Sequence, residues 1–208
     1  MRPDGPRPEI IGEDSGPSAP FPLRMGGKVV KGFGRGSKEL GIPTANLPVE
    51  GTPWISDAKS GVYFGWASLL LPSDHPALTS TKPISSTTFP TEVPYPSTSV
   101  ELPTEVKEKG WRVYPMVMSI GFNPFYGNTV RSAEVHVMHG FGRDFYGCEM
   151  RIAIGGFIRP EYDYESLEKL VEDIKEDIEV TSRSLARPGW SGKEAGVDGY
   201  LWDEAASS

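Results

Sequence analysis

Residues 27–48 read GKVVKGFGRGSKELGIPTANLP. Gly32, Gly34 and Gly36 fall at every second position, and Lys31, Arg35 and Lys38 are interleaved with them. In extended chain alternate residues face one side, so the three glycines present a backbone without side chains. Such a surface lets main-chain N–H groups approach a phosphate, as in an anion-binding nest, while the cations add charge around it. In a β-protein the same pattern also makes a plain hairpin with a bulge. The residue order excludes two familiar phosphate loops. Lys38 follows Ser37, which breaks G-x-x-x-x-G-K-[ST], and Gly36 comes one place early for G-x-G-x-x-G.

Thr44 and Asn46 follow Pro43 at a spacing of two, so in extended chain their side chains point the same way. A hydroxyl and an amide oxygen are hard, neutral ligands. Mg²⁺ is commonly held by one or two protein oxygens plus phosphates and waters. Turn chemistry is the other use of this pair, since Thr and Asn both hydrogen-bond nearby backbone. The next candidate is the carboxylate in RSAEVHVMHGF, residues 131–141. Alternation places Ser132, Glu134, His136 and Met138 on one face, and Ala133, Val135, Val137 and His139 on the other. One of these faces is apolar and lines the core. Glu134 then stands at a strand centre, either toward solvent or partly buried with a task. The two histidines fall on opposite faces and make no metal pair by spacing.

These residues need a frame. Residues 28–33, 61–71, 114–122, 132–141 and 149–160 are short runs rich in β-branched and aromatic residues, bounded by Gly, Pro or Asn. Many short strands with turn chemistry between them predict a small, mainly β barrel or sandwich. One helix follows over 163–186, with Leu167, Leu170, Val171, Ile174, Ile178 and Leu185 as its apolar stripe. Asp163 suits its start, and Pro188-Gly189 its end. Residues 1–22, rich in Pro, Gly and acids, read as a disordered arm. Residues 72–110, where Pro, Ser and Thr supply over half the chain, read as a surface insertion between two strands. Residues 188–208 read as a tail.

A length of 208 residues suits one domain. A formal charge of −7 argues against coating nucleic acid or an anionic membrane. Within it, residues 24–46 carry five cations (Arg24, Lys28, Lys31, Arg35, Lys38) against the single acid Glu39. That local patch suits a small anionic ligand, or a solvated basic hairpin. Cys148 is the one cysteine, so neither a disulfide framework nor a Cys-rich zinc site is available within the chain. No apolar run reaches the roughly 18 residues of a membrane span, and no signal or transit pattern opens the chain. The expectation is a soluble, cytosolic protein.

Three blocks carry a resemblance: VVKGFGRGSKELGIPTANLP, SIGFNPFYGNTVRSAEVHVMHGF and DFYGCEMRIAIGGFIRPE, followed by the helix start YESLEKL. Over residues 25–185, interrupted by the 71–110 insertion, the chain resembles the eukaryotic riboflavin kinases (flavokinases). The resemblance implies a six-stranded Greek-key barrel with a C-terminal amphipathic helix, the kinase domain spanning 23–187. It implies transfer of the ATP γ-phosphate to the ribityl 5′-hydroxyl of riboflavin, giving FMN and ADP. Thr44 and Asn46 match the Mg²⁺ ligands, other divalent cations such as Zn²⁺ being compatible. Gly32 and Lys38 match nucleotide contacts in a glycine-rich flap, and Val137, His139 and Tyr146 match positions near the nucleotide. Glu134 matches the catalytic carboxylate. Arg159 matches a flavin-side position, and Tyr162 and Tyr164 after it offer aromatic faces to the flavin ring. Fewer than 25 residues precede the kinase block, so the expectation is kinase activity alone, without the adenylylating domain of bacterial relatives. ATP and riboflavin are the expected partners of a monomer. The rival readings are a flavin- or nucleotide-binding barrel without catalysis and a nucleotidyl transferase. Glu134, Thr44 and Asn46 standing together favour the kinase.

Overall fold

The computed structural model describes residues 6–31, 44–79, 100–122, 130–193, 196–197 and 199–202. Six strands form one antiparallel sheet: β1 (Leu23–Lys28), β2 (Ala45–Leu47), β3 (Gly61–Leu70), β4 (Trp111–Phe122), β5 (Arg131–Val137) and β6 (Glu149–Pro160). Their order across the sheet is β1-β6-β3-β4-β5-β2. The stretch β6-β3-β4-β5 is a Greek key, in which the fourth strand returns to lie beside the first. The sheet curls until its edges meet. Val30, two residues past β1, bridges to Asn46 in β2, and its N–H donates to the Asn46 carbonyl at 2.9 Å. Among the described residues three α-helices decorate this frame: α1 (Pro76–Thr79), α2 (Thr104–Glu108) and α3 (Leu167–Leu185). No helix among the described residues is long and apolar enough to cross a membrane.

The curl gives the sheet an inner and an outer face. Met116, Met118, Ile120, Ala133, Val135, Ile152 and Ile154 fill the inside and are almost fully buried. Their alternate neighbours point outward, as the two-residue period of a strand requires. On the outer face Phe64, Trp66 and Ala153 form a second core with Ile178, Leu185, Trp190 and Leu201.

The first strand starts earlier than its sequence suggests. β1 is Leu23–Lys28, so of the strand expected over 28–33 only Lys28 belongs to it among the described residues, Val30 forms an isolated bridge, and residues 32 and 33 lie outside the described residues. β1 is an edge strand paired to β6 alone, so pairing with β6 rather than a two-sided apolar pattern defines it. The helix starts later. Ser166 is the N-cap of α3, and its hydroxyl accepts from the Lys169 N–H at 3.4 Å. Asp163 lies outside the helix.

The two segments read as loose ends are packed where they are described. The Ile11 N–H donates to the Ser184 hydroxyl at 2.9 Å, and the Arg183 guanidinium donates to the Glu9 carbonyl at 2.9 Å. The Trp190 indole N–H donates to the Glu13 carbonyl at 2.8 Å. Trp190, Val197 and Leu201 are 2 %, 2 % and 0 % exposed. These few large apolar side chains roof the outer face of the sheet. Bulk composition missed them because Pro, Gly and acids dominate both segments.

Candidate active site

The register of the sheet aligns one transverse row of residues. Asn46 lies opposite Glu134, Glu134 opposite Ser119, Ser119 opposite Val62, and Val62 opposite Arg159. Directly paired residues share a face, so five neighbouring strands present Asn46, Glu134, Ser119, Val62 and Arg159 on the outside of the sheet. Glu134 and Arg159 are three strand spacings apart, about 14 Å along the sheet. Glu134, Ser119, Val62 and Arg159 of this row form the floor of a cleft of about 450 Å³. The other wall is the first half of α3, through Leu170, Ile174 and Asp177. The segment between β6 and α3 closes the end nearest Arg159 with Glu161, Tyr162, Asp163 and Tyr164. An elongated, mostly apolar ligand with polar ends suits a cleft of this size and lining.

At one end Thr44 joins the acid, its hydroxyl donating to Glu134 Oε1. The segment that carries the two candidate metal ligands is therefore tied directly to the candidate catalytic carboxylate. Thr44 lies in the cleft, and Asn46 is Glu134's partner across the strand pair. Hydroxyl, amide and carboxylate oxygens gathered here form a hard donor set that fits Mg²⁺ with phosphates completing its shell. Among the described residues no cluster of three or more His, Cys, Asp or Glu exists to hold a metal.

The other end is ionic. Arg159 Nε donates to both Asp177 oxygens at 3.0 and 3.1 Å, and Nη2 reaches Oδ2 at 2.8 Å. Both side chains are almost fully buried. Burial works against the charge on Arg159, and its bonds to Asp177 outweigh that, so its pKa is raised. The guanidinium also stacks over the Tyr162 ring at 4.8 Å. The Tyr164 hydroxyl donates to Asp173 Oδ2 at 2.9 Å, and burial raises its pKa. Burial likewise pushes the Glu161 carboxyl up. Gly121 makes room for that carboxyl, since a Cβ there would meet Glu161 Oε1 at 2.3 Å.

The structure thus brings Thr44, Glu134, Arg159, Tyr162 and Tyr164 into one cleft, with Asn46 beside Glu134. Val137, His139 and Tyr146 are elsewhere. Val137 belongs to the inner core. His139 stacks on Tyr114 with ring centroids 4.4 Å apart and meets Phe141 edge-on at 5.0 Å. Burial, then the nearby His75, lowers its pKa to about 4. Tyr146 is 38 % exposed. The neighbouring Gly147 N–H donates to the Val29 carbonyl at 2.8 Å, which seats its loop against the chain leading into the glycine-rich segment. Gly32 and Lys38 lie outside the described residues. Reading the sequence missed Ser119, Glu161, Asp173 and Asp177. The signal available for the last two was their i, i+4 spacing, which places two acids on one helix face.

Comparisons with known proteins give the family. The riboflavin kinase family model (Flavokinase) matches residues 19–185. The chain is 57 % identical over 197 residues to a riboflavin kinase of Chaetomium globosum, covering 92 % of this chain and 83 % of that one. It is 51 % identical over 213 residues to a riboflavin kinase of Neurospora crassa, covering 92 % and 90 %. The crystal structure of riboflavin kinase from Trypanosoma brucei superposes with a TM-score of 0.53 at 26 % identity, covering 85 % of this chain and 88 % of that one. On its matched domain, its relatives and its sheet, this chain belongs to the riboflavin kinase family.

Proposed function

We propose that the protein is a riboflavin kinase whose cleft holds riboflavin, with the isoalloxazine ring at the Arg159 end and the ribityl chain running toward Glu134. The observation that carries this reading is the transverse row, which sets Glu134 about 14 Å from the arginine end on one continuous face. Val62, Val117, Leu170 and Ile174 supply apolar walls for the ring, and Tyr162 and Tyr164 supply aromatic faces.

Phosphoryl transfer is mostly positioning and electrostatics. Glu134 orients the 5′-hydroxyl and accepts its proton at a carboxylate oxygen as the bond to phosphorus forms. Thr44, bonded to the same carboxylate, fixes its orientation. Thr44 and Asn46 are the residues that would hold Mg²⁺, which neutralises phosphate charge when bound. ATP approaches from the Val29–Val30 side, where the chain enters the glycine-rich segment next to Asn46 and Gly147. The nucleotide contacts are assigned to Gly32, Lys38, Val137, His139 and Tyr146, of which Gly32 and Lys38 lie outside the described residues. A cytosolic monomer is part of the same proposal.

Product analysis tests the reading. Incubated with riboflavin, ATP and Mg²⁺, the protein is expected to yield FMN and ADP in equal amounts. Bound but unconverted riboflavin would make it a carrier, and pyrophosphate in place of ADP would make it a nucleotidyl transferase.

A further inference from the structure

Arg7 lies in a segment that precedes the matched family domain, which starts at residue 19. Its side chain is nonetheless only 7 % exposed. Nη2 donates to Asp177 Oδ1, the oxygen that also accepts from Arg159 Nε. Nη1 donates to the Asp173 carbonyl and to Glu176 Oε2, each at 3.2 Å, and lies 3.5 Å from Asp173 Oδ1. Asp173 in turn accepts the Tyr164 hydroxyl. Two buried guanidiniums and two buried carboxylates therefore form one balanced set, with Tyr164 attached. The set is anchored from outside the cleft: the Arg187 guanidinium donates to the carbonyls of Ile11 and of Gly12, the latter at 2.8 Å. Gly12 lies so close to the Trp190 ring that a Cβ there would meet it at 2.5 Å.

We infer that Arg7 is a positioning residue for the flavin end of the cleft: by sharing Asp177 with Arg159 and neutralising Asp173, it fixes where the Arg159 guanidinium and the Tyr164 ring stand. The inference rests on the flavin-side reading of Arg159 given above. The charge count supplies the physics. Without Arg7, two carboxylates one helical turn apart face a single guanidinium in a buried setting, and an uncompensated charge there is costly. Arg159 is then drawn between Asp173 and Asp177 and leaves its forked contact with Asp177. Tyr164 follows Asp173. A lysine at position 7 keeps the charge but is a point donor that cannot span two carboxylates as a planar fork does.

Steady-state kinetics on the full chain test this, with riboflavin and ATP varied separately. Arg7→Met is expected to raise the riboflavin KM about 10-fold while leaving the ATP KM unchanged, the signature of a misplaced flavin wall. Adding Asp173→Asn restores the charge balance and keeps an acceptor for Tyr164, so the double variant is expected to return to within about 3-fold of wild type. A wild-type riboflavin KM in Arg7→Met, or a double variant as impaired as the single, overturns the inference. Should Arg7→Met not fold, Arg7→Lys takes its place, expected to raise the riboflavin KM about 3-fold, and a wild-type value there overturns the inference equally. Arg159→Met separates the two levels. If it leaves the riboflavin KM unchanged, the flavin-side reading of Arg159 falls and takes this inference with it. If it raises the KM and the Arg7 variants do not, the positioning role alone falls.

Discussion

The two halves of α3 are built differently. From Ile178 to Leu185 the helix lays Ile178, Val180 and Leu185 on the outer face of the sheet, beside Phe64, Trp66 and Trp190. From Leu167 to Asp177 the fully buried positions are acidic, and the apolar Leu170 and Ile174 line the cleft. Asp173 and Asp177 are 0 % and 1 % exposed, while Leu167 at the first turn is 62 % exposed. The second half behaves as an amphipathic helix should. The first half inverts the rule, because it walls a cleft in place of a core and its acids answer Arg7, Arg159 and Tyr164. Burying two carboxylates is tolerable only where cations and hydroxyls meet them, and the inversion coincides with the stretch of α3 that lines the cleft.

Substitutions that separate site from core sharpen the contrast. The largest effect is expected on the sheet wall facing the first half. Glu134→Gln should lower kcat by about 10²–10⁴-fold while fluorescence titration still shows riboflavin binding and the melting temperature stays near wild type. Trp190→Ala, in the core half, should cost about 3–5 kcal/mol of stability in denaturant unfolding, with riboflavin KM unchanged in the protein that remains folded. Asp177→Asn should cost about 3 kcal/mol by breaking a buried pair, and it alone of these two should also raise the riboflavin KM. If Trp190→Ala raises that KM as much as Asp177→Asn does, the two halves are not functionally distinct.

A smaller effect belongs to the inner aromatic cluster. His139 titrates near 4 in the fold against an ordinary 6.5, so the folded state binds its proton less readily than the unfolded chain. Its contribution to stability is fully present above about pH 6.5 and is lost as pH falls toward 4. His139→Phe should flatten the stability profile across that window, as followed by urea midpoints. The smallest effect is at the exposed first turn of α3, where Leu167→Ala should change stability by less than about 0.5 kcal/mol. A large loss there would mean that the apolar stripe is buried along its whole length after all.

The same contrast explains what could be read in advance. Strands β3, β4 and β6 announced themselves through β-branched and aromatic runs, because both of their faces are covered along almost their whole length. The alternation in β5 placed Ala133, Val135 and Val137 in the inner core and Glu134 on the opposite face. β2 is three residues long, and its strand character comes from pairing with β5 rather than from its own composition. The packed ends were missed for a related reason. Arg7, Ile11, Trp190 and Leu201 are isolated anchors in polar sequence, and single anchors leave no period. Asp173 and Asp177 lie off the apolar stripe of this helix, and nothing in the local sequence shows that cations from residues 7 and 159 arrive to meet them. Glu134, Thr44 and Asn46 were visible one by one, but their meeting depends on the β2–β5 register, which is a tertiary fact.

The central claim is that riboflavin lies between the first half of α3 and the transverse row. A structure of the protein with riboflavin bound tests it most directly. The account predicts the isoalloxazine ring between Leu170 or Ile174 and the Val62–Arg159 end of the row, with the 5′-hydroxyl within about 3 Å of a Glu134 oxygen. A flavin ring seated elsewhere, against Tyr114 and His139 inside the curl of the sheet or on the Tyr146 loop, would contradict it.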